Sequence, residues 1–275
     1  MAQEKWLVDG PKTIDIASAR TLKVGLIAGQ IDIVAHDEPG VRVEIHSVSG
    51  KDLRVSLDGD TVEIDHPQLG WENWLDVFKF NGRARADISV MVPRDIRITI
   101  GMVSSTALVT GVTESLSINT VSGDVVVDGV TGDLSLNSVS GELTVRDHTG
   151  KVSAHTVSGD VTATGALRSY KSDSVSGAVF LDVTGTPDEI RVNTVSGAIT
   201  ARLDDGVPAA YTVSTVGGKL QLDSGTISGV RGQYTGKYGE LAGQWTDVRV
   251  NTVGGDISVL HAVRATGAAS TESTK

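Results

Sequence analysis

A nine-residue repeat runs from Val121 to Leu203, and it limits the possible folds more than any other feature of this sequence. Its first units read VSGDVVVDG, VTGDLSLNS and VSGELTVRD, and pairs of units give a register of 18 residues. Within one unit the apolar residues and the glycine occupy odd positions, which face the same side of a strand. Since nine is an odd number, each unit must bend once if every apolar set is to face inward.

Two bends in each pair of units describe a flattened coil of two strands, which stacks on the next coil at a spacing of about 4.8 Å. No coil buries its apolar face alone, so such repeats occur in runs. The predicted fold class is all-β: a single-stranded β-solenoid with 18-residue coils, two nine-residue units in each, and a β-rich N-terminal cap. The predicted buried columns are Val121, Val139, Val157 and Val175, and Val125, Leu143, Val161 and Val179.

The composition narrows the functional classes. The chain has 275 residues, a net charge of −10 and no cysteine. Neither a disulfide nor a thiolate metal site is therefore possible, and the acidic balance argues against a surface for nucleic acid or anionic membrane. The first ten residues contain no apolar run of signal-peptide length, and no segment could span a bilayer. The sequence predicts a soluble, cytoplasmic protein without direct membrane insertion.

Residues 12–65 alternate between short apolar-patterned runs and turn residues, which is typical of a β meander. The predicted strands are Thr13–Ala17, Leu22–Ala28, Ile31–Ala35, Val41–Val48, Leu53–Leu57 and Thr61–Asp65. The predicted organisation is an N-terminal β meander and cap at 1–100, a β-solenoid at 101–262 and a disordered tail at 263–275.

An aromatic segment interrupts the strands at Leu69–Phe80. Trp71, Trp74, Leu75 and Phe78 have the spacing of one stripe on a short helix. Because terminal coils of a solenoid need capping, we interpret the segment as a plug over the open end. A docking surface for a partner is one alternative interpretation, and a docking surface for a membrane is another.

The repeated phrases NTVSGDV at 119–125, NTVSGAI at 193–199 and NTVGGDI at 251–257 follow a strand, proline, strand lead-in, ISVMVPRDIRITI. Together they resemble the bacterial putative-adhesin family of unknown function, whose members are similar to toast-rack β-solenoids. The resemblance covers roughly residues 20–262. It implies a binding or scaffolding module, in some members linked to envelope-stress systems, and it carries over no catalytic residues.

Motifs for catalysis are missing from the sequence. It contains no nucleophile elbow, phosphate-binding loop, zinc-protease motif or dinucleotide fingerprint, so we predict no catalytic residues, no metal site and no cofactor. Asp124, Glu142 and Asp160 are predicted to stack along one edge of the coils, where they face water or hold a cation loosely. Surface carboxylates of this kind leave one alternative, a carbohydrate-active β-helix enzyme.

One bend of the coil becomes irregular in the later repeats, at 164–169, 182–189, 202–208 and 223–238. These segments follow the same strand in successive coils, so we predict that they stack into one continuous rim. Departures of this kind tend to collect on the binding face of a solenoid. The rim residues predicted to bind are Arg168, Asp188, Arg202, Asp204, Asp205, Arg231, Tyr234 and Tyr238. Tyr170 and Tyr211 occupy inward positions instead, where they would fill the core.

The preferred function is a non-enzymatic scaffold or binding module that engages a protein partner. Tyrosine and arginine, which the rim supplies, are side chains that protein interfaces favour. A cleft with two carboxylates about 5–10 Å apart would favour the enzyme instead.

Overall fold

The computed structural model describes residues 4–67, 84–223, 225–228 and 232–262, and every regular element among them is a strand. The all-β prediction is confirmed, whereas the predicted helix at 71–78 and the predicted tail lie outside the described residues. The strands are β1 (Glu4–Val8), β2 (Lys12–Ile16), β3 (Thr21–His36), β4 (Val41–Ser49), β5 (Leu53–Asp58), β6 (Thr61–Asp65), β7 (Arg85–Pro93), β8 (Arg97–Thr110), β9 (Leu116–Ser122), β10 (Val125–Asp128), β11 (Thr131–Ser140), β12 (Leu143–Ser158), β13 (Val161–Ser176), β14 (Val179–Val183), β15 (Glu189–Ser196), β16 (Ile199–Asp204), β17 (Ala209–Gly217), β18 (Lys219–Leu222), β19 (Gly225–Ser228), β20 (Gly232–Tyr238), β21 (Thr246–Gly254) and β22 (Ile257–Ala262).

The strands stack in parallel with the predicted register of 18 residues in the first coils. Val125 of β10 pairs with Leu143 of β12. Leu143 pairs with Val161 of β13, which pairs with Val179 of β14. These four side chains are at most 2% exposed. The predicted column through Val125 is therefore confirmed, and its apolar contacts hold successive coils together.

Each coil contributes strand segments to two sheets. In one coil, residues 134–140 belong to what we call the first sheet and residues 143–146 to the second sheet. The chain passes from the first sheet to the second at the glycine corner, which comprises residues 122–124, 140–142, 158–160, 176–178 and 196–198. It returns to the first sheet at the variable corner, which comprises residues 129–133, 147–151, 165–169, 184–188 and 205–208.

The predicted buried column through Val121 is wrong. Val139, Val157 and Val175 are 46%, 49% and 50% exposed, and Val121 is partly exposed. Each of these valines follows an inward Ser or Thr, such as Ser138 at 6% exposure. Strand alternation therefore turns the valine outward.

The two corners bend at different positions of the repeat, which explains this error. At the variable corner Gly129, with φ of 60°, precedes Val130, and the bend returns Val130 to the interior. The equivalent residue before Val139 is Ser138, and there the strand continues. The chain turns only at Gly141, whose φ is 126°.

Glycines stack directly on one another at the glycine corner. Gly123, Gly141, Gly159, Gly177 and Gly197 have φ between 126° and 135°, a conformation that other residues rarely adopt. A Cβ on any of the last four would lie 2.0–2.5 Å from the carbonyl oxygen of the glycine one coil earlier. Both the backbone angle and the contact therefore exclude other residues.

The N-terminal strands differ from a meander, in which each strand would pair with the next. β3 runs parallel to β6, β7 and β8, and it bends at Gly29 with φ of 121°. β3 is thus a full coil of the stack, because it carries the same kind of corner glycine as the later coils, and it lies between β8 on one side and β6 and β7 on the other. The pairs β1–β5, β2–β4, β4–β7 and β5–β6 are antiparallel. The domain boundary predicted at residue 100 falls within β8.

The last coil of the chain is inserted into the stack instead of being added at its end. β21 lies between β15 and β17 and is parallel to both, and β22 lies between β16 and β18. β20 and β19 pair antiparallel with β17 and β18 beyond the inserted coil. The segment 205–208 therefore crosses the inserted coil to reach β17.

His148 is fully buried at the inward position that Val112 and Val130 occupy in other coils. Burial lowers its pKa, although nearby backbone groups and Asp133 act in the opposite direction. Burial also lowers the pKa of His66. In the unfolded chain a histidine has a pKa of about 6.5, so both side chains bind a proton less readily in the folded protein.

The stacked glycines generate a first prediction. Gly159→Ala is expected to lower the free energy of unfolding by about 3 kcal/mol or more, because the new Cβ adds both backbone strain and overpacking. Gly129→Ala is the matched control: its φ is 60°, but nothing lies within 4 Å of its Cβ position. That variant is expected to lose only about 1–2 kcal/mol. Urea denaturation measures both, and equal losses would contradict the stacking argument.

The buried histidines generate a second prediction. Below about pH 6.5 the unfolded chain binds protons that the folded protein does not, so the free energy of unfolding decreases as the pH is lowered. We expect His148→Val to reduce this fall between about pH 7.5 and about pH 5.5, with His66 causing the remainder. His46→Gln serves as the control because His46 is exposed. Urea denaturation at the two pH values checks this, and an unchanged fall in His148→Val would refute it.

Candidate functional site

Two of the predicted rim residues form an ion pair across neighbouring coils at the variable corner. Arg168 Nε lies 3.1 Å from Asp188 Oδ2, and both side chains are more than half exposed. The backbone N–H of Asp188 also donates to the carbonyl oxygen of Arg168 at 2.8 Å. The rim is therefore continuous between 164–169 and 182–189, with a surface of mixed charge.

The next coil continues the rim with two further contacts. Arg202 Nη1 lies 3.3 Å from Asp182 Oδ2, and these side chains are 39% and 18% exposed. The Asp204 carboxylate accepts a hydrogen bond from the backbone N–H of Gly185 at 2.8 Å. Both contacts tie 202–208 to 182–189, as stacking of the irregular segments requires.

The end of the rim is held by a cluster that we call the clasp: Asp205, Val207, Asp223, Tyr238 and His261. The His261 imidazole places Nδ1 3.0 Å from Asp223 Oδ1 and Nε2 3.0 Å from the carbonyl oxygen of Val207. Tyr238 stacks on this ring with 3.7 Å between centroids, and its hydroxyl donates to Asp205 Oδ1 at 3.3 Å. Burial and the Asp205 carboxylate raise the pKa of Tyr238.

The clasp fixes the place where the chain crosses the inserted coil. His261 lies in β22, whereas Val207 lies in the crossing segment and Asp223 follows β18. The His261 backbone N–H also donates to Asp223 Oδ1, at 2.6 Å. One side chain thus joins three segments that are distant in sequence.

The remaining tyrosines divide between rim and core. Tyr234 pairs with Val213 in the β20–β17 ladder and is partly buried against the core. Tyr170 and Tyr211 are buried at 0% and 3% exposure, as their inward positions predict, and burial raises the pKa of both. Arg231, the last predicted rim residue, lies outside the described residues.

Two exposed apolar residues belong to the rim and were missed from the sequence. Leu241 and Trp245 are 36% and 43% exposed in the loop 239–245. Gln244 Nε2 of this loop donates to the carbonyl oxygen of Thr186 at 3.4 Å. Directly after the loop, the backbone N–H of Thr246 donates to the carbonyl oxygen of Pro208 at 2.8 Å. The loop therefore lies between 184–188 and 205–208. The sequence feature that could have indicated this loop is Trp245, which directly precedes the strand where the repeat pattern resumes.

The predicted acidic edge is used for backbone hydrogen bonds. Asp124 Oδ1 accepts the N–H of Glu142 at 2.9 Å, and Asp160 Oδ1 accepts the N–H of Ala178 at 2.7 Å. The Glu142 carboxylate accepts the Thr144 hydroxyl at 3.2 Å. These side chains thus stabilise the glycine corner, two of them by joining one coil to the next.

Neither a metal-binding cluster nor a membrane-spanning helix is found in the part of the chain that the structure describes. No cluster of three or more His, Asp or Glu within residues 4–67, 84–223, 225–228 and 232–262 has the geometry to hold a metal ion. Among the same residues no helix is long and apolar enough to cross a membrane. The rim offers exposed aromatic, aliphatic and charged side chains, which suit recognition of another surface.

The Toastrack DUF4097 family model matches residues 26–260. The chain is similar to a putative adhesin from Parabacteroides distasonis ATCC 8503, at 14% identity over 94% of this chain and 97% of that one, with a TM-score of 0.46. It is similar to a putative adhesin from Bacteroides fragilis NCTC 9343, at 10% identity over 90% and 96%, with a TM-score of 0.43. It is also similar to a putative lipid binding protein from Parabacteroides distasonis ATCC 8503, at 11% identity over 91% and 97%, with a TM-score of 0.48. No curated protein matches.

The clasp generates a third prediction. His261→Phe retains a ring to stack on Tyr238 but removes both imidazole contacts, so it is expected to lower the free energy of unfolding by about 1–3 kcal/mol. The control is His155→Phe, since His155 lies 3.2 Å from Asp173 in an exposed pair. Hydrogen exchange should show faster exchange in β22 of the first variant alone. Equal protection of β22 in both variants would contradict a role for the clasp.

Proposed function

The chain belongs to the Toastrack DUF4097 family, and we propose that it is a non-enzymatic binding scaffold that engages another protein through the rim. The rim comprises 164–169, 182–189, 202–208, Asp223, Tyr238 and the loop 239–245. Between Asp223 and Tyr238, β19 and β20 run along the sheets and leave this corner. The observation that carries this proposal is the concentration of irregular, exposed side chains at one corner of an otherwise regular stack.

Exposed side chains on the rim are of the types that dominate binding energy at interfaces. Trp245 and Leu241 are exposed beside the partly exposed Tyr238, and the Arg168–Asp188 pair lies on the same corner. Tryptophan, tyrosine and arginine are enriched among hot-spot residues. A protein partner with an apolar pocket and a polar surround fits this combination best.

The contacts below the surface hold the rim in one arrangement before a partner arrives. Gln244 anchors the loop 239–245 to Thr186, and the clasp anchors 205–208 to the inserted coil. A surface that is ordered in advance loses less conformational entropy on binding. The rim can therefore bind with useful affinity despite consisting largely of connecting segments.

The three carboxylates on which the enzyme alternative depends have structural roles at the glycine corner. Asp124 and Asp160 each accept a backbone N–H of the next coil, and Glu142 accepts a threonine hydroxyl. A carboxylate committed to such bonds is poorly placed to act as acid or nucleophile on a glycoside. This supports the scaffold over the carbohydrate-active enzyme.

The process in which the scaffold acts remains a prediction of this proposal. A role in an envelope-stress response follows from the family resemblance. The net charge of −10 supports a protein partner over nucleic acid.

The proposal generates a fourth prediction, on the variant Leu241→Ser with Trp245→Ala. The immobilised chain is first used to capture a partner from an extract of the source cells, and the captured protein is then purified. Affinity of the variant for that protein, measured by biolayer interferometry, is expected to fall at least tenfold, or about 1.4 kcal/mol.

The matched control for this experiment is Leu7→Ser. Leu7 is 57% exposed and lies in β1, which pairs with β5 in the N-terminal part of the chain, away from the rim. Its affinity for the partner should equal that of the unchanged chain. Capture of nothing would count against the scaffold, and equal affinity of the rim variant and the control would count against the rim as its site.

A further inference from the structure

The outward valines directly before the glycine corner form a continuous apolar stripe along the first sheet. Val139, Val157, Val175, Val195, Val253 and Val216 are between 46% and 66% exposed, with one in each successive coil. Ile27, Val103 and Val121 continue the same column in the earlier coils and are partly exposed. In stack order the valine stripe comprises Ile27, Val103, Val121, Val139, Val157, Val175, Val195, Val253 and Val216.

We propose that the valine stripe is the interface between two copies of this chain, related by a two-fold axis that sets the stripes antiparallel. The proposal goes beyond binding at the rim and does not depend on it. The stripe lies where the first sheet meets the glycine corner, whereas the rim follows the variable corner at the other end of the strands. A dimer formed through the stripe leaves the rim accessible.

The distance between valines of neighbouring coils determines which kind of partner can pack along the whole stripe. Neighbouring coils place their valines about 4.8 Å apart, the distance between paired strands. A β-strand lying along the stripe would repeat its same-face side chains about every 6.8 Å, and an α-helix would turn every 5.4 Å. Neither would keep step over nine positions. A second solenoid with the same coil spacing keeps step throughout, so identical valines interdigitate along the whole length.

The polar groups beside the stripe already have partners, which lets the stripe be covered at little cost. Asn137 Nδ2 donates to Asn119 Oδ1 at 2.9 Å, and Asn251 Nδ2 donates to Asn193 Oδ1 at 2.7 Å. On the other side the Ser140 hydroxyl donates to the Val121 carbonyl oxygen at 3.3 Å. Burying polar groups that are already paired avoids most of the penalty of desolvation.

The column beside the valines, which we call the asparagine column, comprises Asn119, Asn137, His155, Asp173, Asn193 and Asn251. Its one carboxylate, that of Asp173, has polar partners in both neighbouring coils. His155 Nδ1 lies 3.2 Å from Asp173 Oδ2, and Asn193 Nδ2 donates to Asp173 Oδ1 at 2.7 Å. A second copy would therefore not leave this carboxylate without hydrogen-bonding partners beside the valine stripe. This matters because burying a carboxylate without such partners is strongly destabilising.

The two ends of the stripe differ in shape, and this difference favours the antiparallel orientation. At the end of Val195, Val253 and Val216 the face deepens into a groove of about 840 Å³, with Gln233 on its wall. At the other end the column begins with Ile27, its largest side chain. Antiparallel stripes bring Ile27 of each copy to the groove of the other copy, so the Ile27 side chain packs into that groove at both ends of the interface.

The area of the face is close to that of a stable interface. Nine positions span eight spacings of about 4.8 Å, or about 38 Å. With the asparagine column and the next outward column the face is about 17 Å wide, on the order of 650 Å² before side-chain relief is counted. Standard interfaces bury about 800 Å² per partner.

The oligomeric state tests the proposal. The unchanged chain is expected to sediment as a dimer in analytical ultracentrifugation at micromolar concentration, and Val157→Asp with Val175→Asp as a monomer. Phe180→Asp with Thr162→Asp is the matched control, because it adds the same two charges at paired outward positions of neighbouring coils in the second sheet. Thermal denaturation of all three shows that each is folded. A monomeric unchanged chain, or a dimer that survives the valine variant, overturns the proposal.

Cross-linking tests the orientation separately. The chain has no cysteine, so each single-cysteine variant carries one thiol. In the antiparallel arrangement Val157 lies nearest the two-fold axis, so Val157→Cys is expected to cross-link to itself through a short bismaleimide. Val121→Cys should not cross-link alone but should do so when mixed with Val195→Cys. Self-cross-linking of Val121→Cys would overturn the antiparallel orientation.

Discussion

Contact between successive glycine backbones at the glycine corner is the constraint on which the rest of the structure depends. A Cβ on Gly159 would lie only 2.2 Å from the carbonyl oxygen of Gly141, and a Cβ on Gly177 would lie equally close to that of Gly159. In these coils glycine allows the chain to turn sharply while the strands keep their hydrogen-bonding distance, whereas the coil of β8 has Ser105 at the equivalent position. The register of the whole core, including the column through Val125, follows from these corners.

The sequence was sufficient for the core but not for every face. The 18-residue register predicted the buried column through Leu143 and the inward Tyr170, and the structure confirms both. The column through Val139 was wrong because the repeat pattern treats both corners as equivalent. The distinguishing signal was present at the position before the valine, where glycine at Gly129 permits a bend and serine at Ser138 favours a continuing strand.

Other features depended on contacts between distant segments and could not be predicted from a repeat. The insertion of β21 and β22 into the stack changes the order of coils without changing the pattern of any one coil. The proximity of His261 to Asp223 and Val207 follows from that insertion. The predicted rim included Arg168 and Asp188, which the structure brings together, but Trp245 comes to the rim only because its loop leads into the inserted coil.

The two corners place different limits on what each surface can become. At the glycine corner a side chain on Gly159 or Gly177 would collide with backbone, so successive coils present the same valine at the same spacing. A surface built this way is regular, and its best match is another regular surface of equal period. At the variable corner the strands are joined by segments of different length, and loop length costs little free energy. Distinct side chains such as Arg168 and Trp245 can therefore accumulate there without disturbing the core, which suits that corner to a partner of different sequence.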